Sequence, residues 1–335
     1  MKHRMFSLLI LILALTLFTP IYAHDTSELL KAVVLVKASV PADARTAGYL
    51  GTSRQSNGVV IDSNGLILTI GYAILEAEKV EIVPSEGKVI PASIIGHDMN
   101  SGLGLIRAEE PLEVIPMALG NSSQLKVGTP MLIASYAGPG EVQGARLIAI
   151  QEFAGYWEYL LEEAIFTAPP YAEFGGAALV DRDARLVGIG SLFTQVSIPG
   201  SGVVPCNMFV PVDLLKPILG DLLATGRSSA PPRPWLGIQA QEAQGRLSVI
   251  RVSSESPGEK AGVERGDLIL AVNGAEVKGL ADYYRKVWAL GGAGVDVNLR
   301  ILRGAKVEEM IVHSIDRYEL LRMSPTGGMR GEGHT

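Results

Sequence analysis

The 335-residue chain is 47% hydrophobic and 19% charged, with a formal net charge of -6 at pH 7. That balance excludes an intrinsically disordered protein and leaves room for two or three compact units. The lack of any Lys/Arg block argues against a nucleic-acid partner.

At the N-terminus, Lys2, His3 and Arg4 precede an apolar stretch from Phe6 to Phe18, and Pro20-Ile21-Tyr22-Ala23 ends on a small residue. Residues 1–23 therefore read as a secretory signal peptide, which makes the protein exported, to a periplasm or beyond. The apolar run is short of the roughly 20 residues a membrane-spanning helix needs, so an uncleaved anchor is the lesser alternative. Cleavage there would leave His24 first, where an amine and an imidazole can chelate copper; the plain alternative is a flexible terminal residue. The single cysteine, Cys206, has no partner for an internal disulfide.

Residues 28–224 carry the signature of short strands joined by turns, in keeping with 38 glycines and 19 prolines. A β-branched run covers 32–40. Residues 58–61 lead through Asp62-Ser63-Asn64-Gly65 into the hairpin partner 66–69. Further strands are expected over 80–83, 89–95, 103–107, 130–135, 145–151, 177–180, 186–189 and 208–210, a spacing that suits a closed barrel or a sandwich. Asp213 is expected to cap a helix with Leu214, Leu215, Ile218, Leu219, Leu222 and Leu223 on its apolar face. Residues 225–234, TGRSSAPPRP, read as an extended, solvated linker, and the Gly-rich tail 324–335 as disordered.

Four stretches resemble a known family: SNGVVIDSNGLILT (56–69), IIGHDMNSGLGLIR (94–107), ALGNSSQLKVGTPMLIASYAGPG (118–140) and GGAALVDRDARLVGI (175–189). In this order they are similar to the HtrA/Deg family of exported trypsin-fold serine proteases, and the resemblance spans nearly all of 30–325. It implies a mostly β chain, a trypsin-like double β-barrel over 28–224 followed by a PDZ domain. It also implies homo-oligomers, commonly trimers.

The same resemblance places the catalytic positions, and all three are replaced. Tyr72 stands at the histidine position, Gly102 at the aspartate position and Gly175 at the serine position. A serine needs a base to take its proton, and that base needs a partner to orient it. Tyrosine and two glycines supply none of this, so no catalytic residue is expected and Phe174 is expected to fill the pocket. A substitute site has weak candidates. His97 reads as a solvated turn histidine beside Asp98, with a base role through water as the alternative, and Cys206 reads as an inert buried thiol. No cofactor and no metal are expected.

Residues 235–315 carry Trp235-Leu236-Gly237-Ile238, Ser256-Pro257-Gly258-Glu259-Lys260-Ala261-Gly262-Val263 and Gly266-Asp267-Leu268-Ile269-Leu270-Ala271-Val272-Asn273-Gly274, an order that resembles PDZ domains of bacterial proteases. Such domains add an extended peptide to a sheet edge and receive its terminal carboxylate on loop N–H groups. Leu236, Gly237 and Ile238 match that loop. Tyr283 and Val287, on a helix expected over 280–290, are the facing groove candidates; each of the five is alternatively plain core. The reading that follows is an exported pseudoprotease that binds protein or peptide C-termini as a scaffold, chaperone or regulator. The alternative is a serine endopeptidase with a non-standard catalytic arrangement in envelope quality control.

Overall fold

The computed structural model describes residues 30–136 and 142–322. The signal segment 1–23, His24 and the tail 324–335 lie outside the described residues.

Six antiparallel strands form a first barrel: β1 (Val33–Ser39), β2 (Ser53–Val60), β3 (Leu66–Ile70), β4 (Lys79–Val83), β5 (Ile90–His97) and β6 (Leu103–Ala108) close in the order β1-β2-β3-β6-β5-β4. A second barrel repeats the plan. It comprises β7 (Pro130–Ala134), β8 (Val142–Gly155), β9 (Tyr159–Ala168), β10 (Ala178–Val180), β11 (Leu186–Ile198) and β12 (Gly202–Pro211), in the order β10-β11-β12-β9-β8-β7. Closure leaves neither sheet a free edge. The β2–β3 turn forms as its sequence dictates: Asp62 accepts the N–H groups of Asn64 and Leu66 at 2.8 Å each, and Gly65 takes φ +71°. One apolar cluster runs through both barrels, from Val34 and Ile67 to Phe166 and Met208.

The third sheet contains β13 (Ile238–Ala243), β14 (Arg246–Val252), β15 (Leu268–Val272), β16 (Ala275–Glu276), β17 (Asp296–Arg303) and β18 (Lys306–His313). Its main path is β13-β14-β15-β17-β18, which puts β13 at an edge. The Leu280–Trp288 helix closes its core with Leu280, Tyr283, Tyr284 and Val287. The chain is thus mostly β, a trypsin-like double barrel followed by a PDZ fold.

Three expectations are corrected. The helix expected from Asp213 onward does not start there, because Pro217 lacks an N–H and pushes its predecessor off the helical region. Val212–Leu214 makes a single 3-10 turn, and the α-helix is Leu219–Thr225, ended by Gly226 at φ +78°. Asp213 instead accepts the Ser123 N–H at 2.8 Å, tying that turn to the Ser122–Gln124 turn.

Strands β8, β11 and β12 run well past their expected ends. Beyond Ser191 the outer half of β11 alternates exposed residues with half-buried ones and the buried Val196, so the apolar run that marks a buried strand stops while the ladder continues.

The 225–234 segment is exposed along most of its length but is not a free connector. Gly226 carbonyl accepts the His97 N–H at 3.0 Å, Ser229 donates twice to Asp221, Arg227 pairs with Asp316, and the Arg233 guanidinium lies over the Trp288 ring.

Candidate functional site

Tyr72, Gly102 and Gly175, the residues expected at the catalytic positions, come together between the barrels. Strand β3 delivers the chain into the one-turn helix Gly71–Ile74, which carries Tyr72. The buried Arg54 holds this turn by donating to the carbonyls of Tyr72 and Leu75 at 2.9 and 2.8 Å. Gly102 sits in the β5–β6 turn at φ +76°, and its carbonyl accepts the Gly71 N–H at 2.8 Å. Gly175 follows β9, with its carbonyl receiving the backbone and side-chain N–H groups of Asn57 at 2.7 and 2.9 Å. A Cβ built on Gly175 would lie 3.3 Å from the Tyr72 hydroxyl.

The residues expected at the histidine and serine positions, Tyr72 and Gly175, are therefore neighbours. The Tyr72 hydroxyl donates to the Ser191 carbonyl at 3.0 Å, and burial pushes its pKa up to about 12. It stays protonated at neutral pH and serves as a donor, not a base. Gly102 has no side chain, and a Cβ there would lie 3.2 Å from the Tyr159 ring. Next to Gly175, the Gly176 N–H is already given to the Gly190 carbonyl at 2.8 Å. Phe174 does not fill the cleft as expected: it is half-buried and is not among the residues that line the cavity.

His97 is not a solvated turn residue. It ends β5, is 3% exposed, and burial lowers its pKa to about 4, leaving it neutral. Its Nδ1 has no hydrogen-bond partner, while its carbonyl accepts the Tyr318 hydroxyl at 2.7 Å. The Cys206 thiol is buried in β12 and pushed up to about 11, far from thiolate character at neutral pH.

A cavity of about 510 Å³ opens beside Tyr72 and extends to the third domain, touching Tyr49, His97, Trp157, Gly237 and Arg251. The cleft beside Tyr72 and the Trp235–Ile238 loop thus share one space. In that loop, Gly237 takes φ +72°, and a Cβ on it would lie 2.2 Å from Ser256 Cβ.

The N–H groups of Leu236 and Ile238 do not face solvent. They donate to Oε2 and Oε1 of Glu158, each at 3.0 Å. Burial pushes the Glu158 carboxyl up to about 7, opposed by these N–H groups, by that of Gly237 and by Arg317. The expected groove residues Tyr283 and Val287 are 1% and 2% exposed, and Leu160 of β9 joins their cluster. The groove they were expected to line is covered in this state. Glu158 is the residue sequence reasoning missed; its one signal was the aromatic-rich Gly155-Tyr156-Trp157-Glu158-Tyr159 run at a turn, where polar residues are the rule.

Comparison with known proteins fits this two-part architecture. The trypsin-like peptidase domain family matches residues 56–189 and the PDZ domain family matches residues 234–313. Among curated proteins the chain is similar to the periplasmic pH-dependent serine endoprotease DegQ of Escherichia coli (strain K12), 28% identical over 271 residues, covering 76% of this chain and 58% of DegQ. The chain belongs to the HtrA/Deg family.

Other HtrA/Deg relatives include the periplasmic serine endoprotease DegP of the same organism, 25% identical over 265 residues, covering 75% of this chain and 54% of DegP. The serine protease PepD of Mycobacterium tuberculosis is 26% identical over 246 residues, covering 66% of this chain and 52% of PepD. The chain therefore spans a little over half the length of these relatives. In fold it is similar to the HtrA-type protease AlgW solved with a tripeptide, at TM-score 0.53 and 20% identity, covering 92% of this chain and 99% of that one. No helix among the described residues is long and apolar enough to cross a membrane.

Proposed function

We propose that this HtrA/Deg chain is an exported, non-catalytic member of its family that captures protein or peptide C-termini on its PDZ domain, as a scaffold, chaperone or regulator. The observation that carries the first half is the meeting of Tyr72 and Gly175: a protonated phenol stands where a base is needed, beside a backbone with no nucleophile. The second half is supported by β13, whose outer edge has no strand partner among the described residues, and by the glycine-containing Trp235–Ile238 loop at its head. Main-chain pairing along such an edge supplies affinity, and loop N–H groups read the terminal carboxylate. Export is supported by the residues before His24 and by the periplasmic relatives.

The test is labelling of the chain from residue 24 onward with a serine-directed phosphonate, together with a casein-cleavage assay. The expected result is neither labelling nor cleavage. Steady proteolysis that survives repurification would overturn the non-catalytic reading. A pull-down from envelope extract with free or amidated C-termini as competitors tests the capture reading.

A further inference from the structure

We propose that the Glu158 carboxylate is an internal ligand of the PDZ carboxylate loop, seated where a peptide C-terminus would sit, so that the β8–β9 turn must withdraw before an outside C-terminus can bind. The outside half of this statement rests on the capture reading above. The inside half rests on geometry alone.

A carboxylate at the end of a side chain and one at the end of a chain present the same two oxygens to a donor. Here each oxygen receives its own amide, Oε2 from Leu236 and Oε1 from Ile238, both at 3.0 Å. The Gly237 N–H also faces the group. Two residues further on, Leu160 is buried with Leu236, Ile238, Tyr283 and Val287. An apolar side chain beside a loop-bound carboxylate is the pairing that an apolar C-terminal residue would supply.

The turn is held in place to deliver this. Glu158 takes φ +58°, a conformation uncommon for a residue with a side chain. Tyr284 of the PDZ helix braces it from both ends: its hydroxyl donates to the Gly155 carbonyl at 2.7 Å and receives the Glu158 N–H at 3.1 Å. Arg317 donates to the Trp157 carbonyl at 3.3 Å. At the rim, Arg285 pairs with Glu152 of β8 and Glu162 of β9. These rim pairs are exposed and therefore weak and salt-sensitive. The contact is thus built from a few side chains and is suited to opening. Any outside ligand meets a loop that is free only in the undocked fraction, and its apparent affinity falls by that fraction.

The experiment compares the chain from residue 24 onward with its Glu158→Gln and Glu158→Ala variants, after melting curves establish that all three fold. Amide hydrogen exchange is read at residues 236–238. Binding is read by fluorescence anisotropy with a labelled decapeptide ending in a free valine, and with its C-terminal amide. Both variants are expected to lose protection at 236–238 and to bind the free-ended peptide about tenfold or more tightly than the wild type. The amidated peptide is expected to show no such gain. Arg285→Ala, which touches only the rim, is expected to shift binding the same way by a smaller factor. Unchanged exchange in both Glu158 variants overturns the inference, as does equal peptide affinity across wild type and variants. Lost protection with no peptide binding in any protein upholds the internal contact and overturns the capture reading instead.

Discussion

The Tyr72 hydroxyl stands 3.3 Å from the point where a Cβ on Gly175 would sit. A serine introduced there would meet a phenol that burial keeps protonated, with its hydrogen already directed at the Ser191 carbonyl. Gly175→Ser alone is therefore expected to remain inert to a serine-directed phosphonate. Adding Tyr72→His supplies the base, and the double variant is expected to react slowly, since an unoriented histidine loses about 10⁴ in rate. Labelling of Gly175→Ser alone would contradict this account of the cleft.

Restoring the third position is expected to damage the fold. Gly102 lies at φ +76°, and any Cβ there lies 3.2 Å from a Tyr159 ring whose hydroxyl is fixed on the Ser101 carbonyl at 2.6 Å. Gly102→Asp is expected to cost about 1–2 kcal/mol for the left-handed backbone alone, and more if Tyr159 must move. Differential scanning calorimetry should show a melting temperature lowered by several degrees. An unchanged melting temperature would mean that the turn relaxes freely.

Acid should weaken the protein through His97. Its folded pKa of about 4 lies below the ordinary 6.5, so the unfolded chain binds the proton first. The stabilisation from keeping it neutral is complete above about 6.5 and is lost as pH falls towards 4, amounting to about 3 kcal/mol. Urea midpoints at pH 7 and pH 4.5 should differ less in His97→Gln than in the wild type. An equal difference in the two proteins would remove His97 from the acid response.

The Glu158 latch should respond to pH in the opposite sense. Docking raises the Glu158 carboxyl from 4.5 to about 7; the docked state holds its proton more tightly and weakens as pH rises through that window. The charged and titratable groups facing it are Arg317, Tyr283 and Tyr284. Burial pushes both tyrosines upward, so neither changes charge between pH 5 and 8. The affinity of a free-ended peptide is expected to rise between pH 5 and 8 in the wild type and to stay flat in Glu158→Gln. Parallel curves for the two proteins would refute the assignment.

Gly237 is a structural position whether or not it also binds a ligand. A β-branched residue there meets Ser256 Cβ at 2.2 Å and must adopt φ +72°. Gly237→Val is expected to destabilise the PDZ fold by about 2 kcal/mol or more, visible in the thermal melt of the full chain. Loss of peptide binding in that variant would then report folding, whereas Glu158 variants report the site.

Much of the architecture was legible in the sequence because its signals are local. The Asp62–Gly65 turn, the turn glycines 262 and 274 and the short apolar runs each depend on neighbours within a few residues, so strands and turns follow from propensity and spacing. Pro217 carried an equally local signal against the helix from Asp213, and the apolar spacing around it concealed that signal. Motif order likewise singled out Tyr72, Gly102 and Gly175, which the structure brings together. The tertiary structure decided whatever depends on distant groups meeting: the Tyr72 hydroxyl against Gly175, the burial of His97 under the Gly226 strap, and the covering of Tyr283 and Val287. Glu158 is the extreme case. It lies 78 residues from Leu236 in sequence, and the aromatic-rich turn around it carries no pointer to that loop. Its carboxylate meets the Leu236 and Ile238 N–H groups only because closure of the second barrel carries the β8–β9 turn to that loop.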